Sequence, residues 1–385
     1  MIEKFSVQNR VPTDGNSEQQ MRGRTLGGFT YIPWGSKNFY PEEFQDCCHD
    51  SSTQMACSTL MFNRIKGKGY NIKDNEGFTP KTPNPEDDWD DLLDSLLSDF
   101  ILFDGFAYKV VMARNGDINI YHQPFAQVRL GKNGTQSEGM AGVCVDWRSP
   151  SYWGIEQIPL YNGTIEPGTT YLVYAVRLKN SELYYHIPDL NAGLRWIDAD
   201  RMLARYYDAF VSNSMTSNKV IKFPYELDEN KKIEVRHLID SIGCGADNGG
   251  NFLVMDGCVE QQPVVESLSV EGADLYDQTA DIVQRKICTV NNLASPTLAG
   301  ISVSSGFSSQ AEEYLAASTI YELNKVAPTR AKFIKSVNKM LNRFVNIGIY
   351  NYALSIDPLD VNSAFNYGVD TETDDIETDT NSDKV

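Results

Sequence analysis

The sequence predicts an α+β fold, on three observations. Short apolar segments of strand length cluster between about residues 105 and 180, separated by Gly, Asn and Pro. Segments with helical periodicity bracket that cluster on both sides. A long helical pattern from Ser309 to Phe344 follows, with one proline near its middle.

The first 40 residues are polar and glycine-rich and end in Trp34-Gly35-Ser36-Lys37-Asn38-Phe39-Tyr40-Pro41, which reads as an irregular arm. From Glu42 to Ile65 the apolar residues Phe44, Met55, Leu60, Met61 and Ile65 predict a single helix, stopped by Gly67 and Gly69. After Pro83 and Pro85, Trp89, Leu92, Leu93, Leu96, Leu97, Phe100 and Ile101 form an amphipathic stripe running to Gly105. Strands are expected over Ala107 to Ala113, Ile118 to His122, Ala126 to Leu130, Gly142 to Trp147 and Thr170 to Leu178. The early helices then cover one face of this layer.

Three helices come next. In Ile197 to Ser214, Leu203, Tyr206, Tyr207, Phe210 and Val211 share a face, with Asp198 placed to cap the start. In Gly272 to Leu293, Leu275, Ile282, Val283, Ile287 and Val290 do the same. Between these two lies an insert: strand Lys219 to Phe223, helix Asn230 to Ile242, a glycine-rich turn Gly243 to Gly250, and strands Phe252 to Met255 and Val259 to Val264. The third helix opens on a capping box, Ser309 with Glu312. Pro328 should kink it, because its ring removes a backbone N–H and collides with the carbonyl one turn back. Beyond the kink, Lys332, Lys335, Lys339 and Arg343 make a basic stripe opposite Phe333, Ile334, Val337, Met340, Leu341 and Phe344.

Charge and cysteine usage narrow the function. The net charge of −18 argues against a free-standing DNA-binding module, which would hold phosphates with clustered Lys and Arg. Residues 370–385 hold seven acids against Lys384, a net of −6 with few apolar side chains, so this tail is expected to be disordered. The 7 cysteines include no C-x-x-C pair and read as buried thiols; Cys47-Cys48-His49 with Cys57 suits tetrahedral zinc poorly. No apolar run has the length to span a bilayer, and MIEKFSVQNR lacks signal-peptide order, so cytoplasmic synthesis is expected. The sequons at Asn133 and Asn162 carry little meaning without secretion.

Asp87-Asp88-Trp89-Asp90-Asp91 fits D-D-x-x-D, in which Asp87, Asp88 and Asp91 would hold the magnesium diphosphate of a prenyl-transfer enzyme. The competing reading is an acid-rich first helical turn favoured by the helix dipole. That enzyme class is all-helical, whereas this chain is strand-rich, so the enzyme remains the alternative reading. Gly243-Cys244-Gly245-Ala246-Asp247-Asn248-Gly249 fails the dinucleotide fingerprint and follows a helix. No phosphate-binding Walker sequence occurs, and Gly300-Ile301-Ser302-Val303-Ser304 lacks the closing glycine of a nucleophile elbow. His49, His122, His186 and His237 are scattered singly.

Several stretches, in order, resemble the portal proteins of tailed bacteriophages. These are Trp34-Gly35 through Asn38 to Tyr40-Pro41; Gly67-Lys68-Gly69-Tyr70; and Asp104-Gly105-Phe106-Ala107-Tyr108 followed by Asn115-Gly116-Asp117-Ile118 and Val128-Arg129. Phe210-Val211-Ser212-Asn213 with Val220-Ile221, then Ser295-Pro296-Thr297-Leu298-Ala299-Gly300 before the proline-bearing helix, continue the likeness. Two departures are Ser214 and Ser217 in place of the family's Gly and Pro, and no counterpart of the C-terminal crown of larger portals after Ser355.

The resemblance implies a portal fold with a mixed α/β wing, a two-helix stem, a small α/β clip and a long kinked helix. Carried over by position, the arm is 1–40 and the N-terminal part of the wing 41–196. Stem helix 1 is 197–214, the clip 215–271 and stem helix 2 272–293. The channel loop is 294–307, the kinked helix with its C-terminal strand 308–368, and the acidic tail 369–385. It further implies a ring of twelve copies that passes double-stranded DNA without enzymatic activity or cofactor. Terminase, neck or adaptor proteins, and the major capsid and scaffolding proteins are the implied partners. The ring would sit at one capsid vertex of the virion, with no membrane. In the loop, Ile301, Ser302, Val303, Ser304 and Ser305 would line the pore, since small residues between glycines allow close backbone approach. The stripe Lys332, Lys335, Lys339 and Arg343 would face either DNA or acids of a neighbouring subunit.

Overall fold

The structure, a computed structural model, describes residues 23–74, 76–77, 80–176, 184–212, 219–223, 225–243, 252–255, 264–267, 273–301, 310–343 and 352–359. Its architecture is mixed α and β, with several short sheets and one long joined helix.

The expected irregular arm is in part regular. β1 (Arg24–Leu26) and β2 (Phe29–Tyr31) form a hairpin around Gly27 and Gly28, at φ 57° and 82°. Left-handed backbone at both central residues is what a two-residue hairpin turn demands, so the two glycines set this register. Phe29 and Tyr31 are buried with Cys144 and Trp147 in a small core of their own.

The single helix expected from Glu42 to Ile65 is two. α1 (Tyr40–Asp50) and α2 (Ser52–Lys66) are separated by Ser51, whose backbone is extended at φ −90° and ψ 116°. The Ser51 hydroxyl accepts from Gln54 N–H at 3.1 Å and donates to Asp200 at 2.7 Å. Asp200 also accepts from Thr53 N–H at 3.3 Å. A carboxylate from a distant helix thus completes an N-cap, and this outweighs continued helix.

β3 (Tyr70–Lys73) precedes α3 (Trp89–Phe103), which Asp88 caps by accepting from Asp91 N–H at 2.9 Å. β4 (Gly105–Met112) then lies between β5 (Ile118–Gln123) and β9 (Thr170–Val176), antiparallel to both. β6 (Val128–Leu130), β7 (Met140–Val143) and β8 (Glu156–Pro159) make a second antiparallel sheet, with the short α4 (Pro150–Trp153) before its last strand. The α3 stripe Leu92, Leu93, Leu96, Leu97 and Phe103 is buried with Phe106 and Val110 of β4.

α5 (Leu194–Ser212) starts ahead of the expected position, because a 3-10 turn, Asp189–Gly193, leads into it. Asp198 is therefore not its cap. It lies inside the helix, buried, paired with Arg201. α5 packs on α7 (Ala273–Val290). Between them, β10 (Lys219–Lys222), α6 (Glu229–Gly243), β11 (Phe252–Met255) and β12 (Val264–Ser267) form the insert. β10 is central, parallel to β11 and antiparallel to β12. The last strand pairs over Val264–Ser267; residues 259–263 of the strand expected over Val259 to Val264 lie outside the described residues.

The long helical region runs as α8 (Gln310–Tyr321), a π turn at Glu322–Val326, and α9 (Ala327–Asn342). Ser309, the expected cap, lies outside the described residues. Pro328 occupies the first turn of α9, where its missing N–H is tolerated. The wider π turn precedes it, so the expected collision one turn back is met by a change of helix type. β13 (Ala353–Ile356) pairs antiparallel with β3 and packs on α9. Phe333, Val337, Met340 and Leu341 of α9 join the main core. No helix among the described residues is long and apolar enough to cross a membrane.

Candidate functional site

Two stretches singled out in the sequence, Trp34 to Pro41 and Val128-Arg129, meet at one buried side chain. Arg129, at the start of the second sheet, is fully enclosed. It donates to Asn38 Oδ1 at 3.0 Å and to the carbonyls of Asn38, Ala126 and Val128 at 2.7, 2.6 and 3.0 Å. Its remaining reach is a two-oxygen contact with Glu42, at 2.9 and 2.8 Å. The guanidinium carbon stands 5.8 Å from the Trp34 ring and 5.0 Å from the Trp147 ring. Burial raises the Glu42 carboxyl above its ordinary value, and the Arg129 charge opposes this. The two short contacts to one guanidinium are the geometry of an ionised pair.

Asn38 serves this centre from left-handed backbone at φ 74°, and its side chain also accepts from Trp34 N–H at 3.1 Å. Trp34 stacks on Tyr185 at 4.5 Å, and the Tyr185 hydroxyl bonds Ile32 and Leu130 backbone at 2.7 and 2.9 Å. Arm, first helix, second sheet and the segment before α5 are thereby locked together. Sequence reading recovered Trp34, Asn38 and Arg129 as pieces of a resemblance, but not that they touch.

A second junction holds the helices flanking the insert. Gln54 of α2 and Asn291 beyond α7 exchange side-chain hydrogen bonds at 3.3 and 2.8 Å, both buried. Nearby, the Cys57 thiol is hydrogen-bonded to Cys288; that hydrogen bond and burial push Cys57 well up, whereas the same hydrogen bond lowers Cys288 against the effect of burial. Gly193 allows close approach, since a Cβ there would stand 2.7 Å from Val290. After α7, Ser295 caps a 3-10 turn, Pro296–Ala299, which ends at Gly300 in left-handed backbone, φ 79°. Of the expected loop residues, Ile301 packs half-buried against the core. Ser302, Val303, Ser304 and Ser305 lie outside the described residues.

The π turn carries a third junction. Arg330 is buried, pairs with Glu322 at 2.8 Å, and donates to the Arg64 and Ile65 carbonyls, with 3.2 Å to the latter. Those carbonyls belong to the last turn of α2, where intrahelical donors run out.

The basic stripe divides. Lys332, Lys339 and Arg343 line a cavity of about 250 Å³ beside β4 and β9, together with Asp104, His186 and Asp189. Lys335 is exposed and does not line it. His186 is fully buried, 3.2 Å from Asp104. Arg343 lies 5.9 Å from the Tyr161 ring and bonds Tyr108.

Two acids of D-D-x-x-D are engaged locally. Asp88 is the α3 cap, and Asp87 accepts from Asn84 at 2.9 Å. Asp90 is held above the usual carboxylate range, first by burial and then by the Asp88 charge. Among the described residues, no group of three or more His, Cys, Asp or Glu side chains is placed to hold a metal ion.

No family model and no curated protein matches the sequence. Solved structures do match in fold. A chain from the virion of a native gene transfer agent particle aligns with TM-score 0.53 and 12% identity, over 84% of this chain and 85% of that one. A chain from the neck of the native particle, computed with C12 symmetry, gives 0.51 and 11%, over 82% and 83%. A portal protein of the HK97 phage family from Corynebacterium diphtheriae covers 85% of this chain at 9% identity, but its TM-score of 0.45 is too low to carry an argument. At such identities the likeness is one of fold. This chain therefore has the fold found in gene-transfer-agent neck and virion chains, across most of both lengths.

Proposed function

We propose that this chain is one subunit of a closed, portal-type ring at a virion vertex, a channel for double-stranded DNA during packaging and ejection. The observation that carries the reading is the shared fold with a chain from the neck of a native gene transfer agent particle, a neck computed with C12 symmetry, covering 82% of this chain. The order of parts supports it: two packed helices flanking a small α/β insert, then a turn ending in Gly300, then a long joined helix. Twelve copies close by one repeated heterologous contact. α5 and α7 form the stem, and β10, α6, β11 and β12 form the clip that docks terminase and afterwards the neck proteins. The wing meets the capsid and scaffolding proteins. The loop Ile301 to Ser305 faces the duplex.

The mechanism is passive, because a moving duplex must not be gripped. A wall that neutralised many phosphates would gain affinity with each released counterion and resist translocation. A subunit of net charge −18 gives the opposite average field.

Native mass spectrometry tests the reading. The expected species is a closed oligomer near twelve subunits of 43.2 kDa each. A strict monomer at micromolar concentration, or a dimer that turns over a prenyl diphosphate with magnesium, overturns it.

A further inference from the structure

We propose that the cavity lined by Lys332, Lys339 and Arg343 is a docking site for the acidic C-terminal segment of the same chain, residues 370–385. Lys332 and Lys339 stand on one line of α9, which Arg343 continues at the helix's C-terminal cap. Along the helix axis Lys332 and Lys339 are about 10.5 Å apart, and Lys339 and Arg343 about 6 Å. No ion pair to either lysine occurs among the described residues. Asp104, Asp189 and His186 share the cavity, and His186 faces Asp104.

The sequence offers a ligand of matching spacing. Asp370, Glu372 and Asp374 recur at every second residue, as do Asp375, Glu377 and Asp379. Bound as an extended strand, such residues put carboxylates about 6.7 Å apart on one side. That interval suits the Lys339–Arg343 step, and a skipped position suits the longer one.

The chain length also allows the tail to reach the cavity. β13 packs on α9, and Leu354 N–H donates to Asn338 Oδ1 at 2.7 Å. Asn338 is one position from Lys339, about 100° around the helix. From Leu359 the eleven residues to Asp370 can span up to ~38 Å, longer than the ~24 Å of α9 itself. The size of the site favours a peptide over a duplex: a cavity of about 250 Å³ admits carboxylate side chains, and a double helix is far too wide to enter it.

The tail would then neutralise a basic patch that otherwise competes for phosphate. The placement can be read without any ring, so failure of the portal reading leaves it testable.

Zero-length carbodiimide cross-linking of the full-length protein, read by peptide mass spectrometry, is the experiment. Amide bonds should join Lys332 or Lys339 to Glu372, Asp374, Asp375 or Glu377 within one chain, and should vanish at 1 M salt. The Lys66–Asp94 ion pair, at 2.7 Å, is the internal control. Tail carboxylates joined only to other lysines, joined only between chains, or not joined while the control pair is, would overturn the assignment. A second readout uses exposed positions that leave the core untouched. Truncation after Gly368 should raise affinity for a short duplex at least threefold at low salt, and should not do so in Lys332→Gln/Lys339→Gln. An equal rise in both backgrounds would mean a general charge effect and refute specific docking. Duplex protection of Lys332 and Lys339 from acetylation in the intact chain would assign the cavity to nucleic acid instead.

Discussion

Replacing Arg129 with methionine is the sharpest perturbation of this fold, because the guanidinium is fully buried and hydrogen-bonds four residues, Asn38, Ala126, Val128 and Glu42. Removing one member of a buried ion pair costs ~3–5 kcal/mol, since the other charge is left uncompensated. Here Glu42 would be that charge, and the carbonyls of Asn38, Ala126 and Val128 would lose a donor. An unsatisfied buried acceptor costs about 1–3 kcal/mol, but these losses overlap in one network and do not add. The expected total is at least ~4 kcal/mol, a shift of about 2 M in the urea midpoint at a slope near 2 kcal/mol per molar. Trp34 and Trp147 flank the guanidinium, so their fluorescence reports on the site directly. Arg129→Lys keeps the charge without the planar set of donors that reaches Asn38, Ala126, Val128 and Glu42 at once, and should recover only part of the loss. Adding Glu42→Gln to the methionine variant should recover stability by removing the orphaned charge. A loss below ~1 kcal/mol for Arg129→Met would refute the claim that this centre locks the arm to the sheets.

Other outcomes follow from the same structure. Gly67→Ala should destabilise by about 2 kcal/mol or more, since the backbone is left-handed at φ 59° and a Cβ would stand 2.1 Å from the Asp357 carbonyl; urea titration reads it, and a neutral result would contradict the β3–β13 junction. Burial pushes Cys47 up to about 11 and raises Cys48 and Cys144, while the hydrogen bond to Cys288, together with burial, raises Cys57. At pH 8 these four should therefore resist Ellman's reagent until urea is added, and fast native labelling of any of them would contradict their burial. Replacing Asn218 to Val265 by a short Gly/Ser connector should spare the far-ultraviolet and tryptophan signals of the rest while abolishing terminase binding; retained binding refutes the clip assignment. Duplex DNA should bind the purified oligomer weakly and lose that affinity as salt rises, as measured by anisotropy. Nanomolar binding that persists in high salt is the contrary result.

Local signals in the sequence located most elements, and the failures share a cause. α3, β4, β5 and β9 were legible because apolar periodicity and Gly, Asn or Pro punctuation fall within a few residues of each element. The break at Ser51 was not, since the partner that makes an N-cap there is Asp200. Gly67 and Gly69 read as a helix stop, but the close approach of the Asp357 carbonyl depends on β13, almost three hundred residues later. Asp198 looked like a cap because the 3-10 turn ahead of α5 carries no apolar rhythm. Val128-Arg129 gave no hint of burial, because a charged residue is enclosed only when distant acceptors converge on it. The stripe on α9 was visible as spacing, whereas the cavity beneath it needs β4, β9 and His186 in place.

Electron microscopy of the purified protein tests the central claim most directly, because a channel and an enzyme differ in shape. If the proposed portal reading holds, closed rings with an axial hole and close to twelve subunits in class averages are expected. Compact particles without a hole, unchanged across concentration and salt, would contradict it.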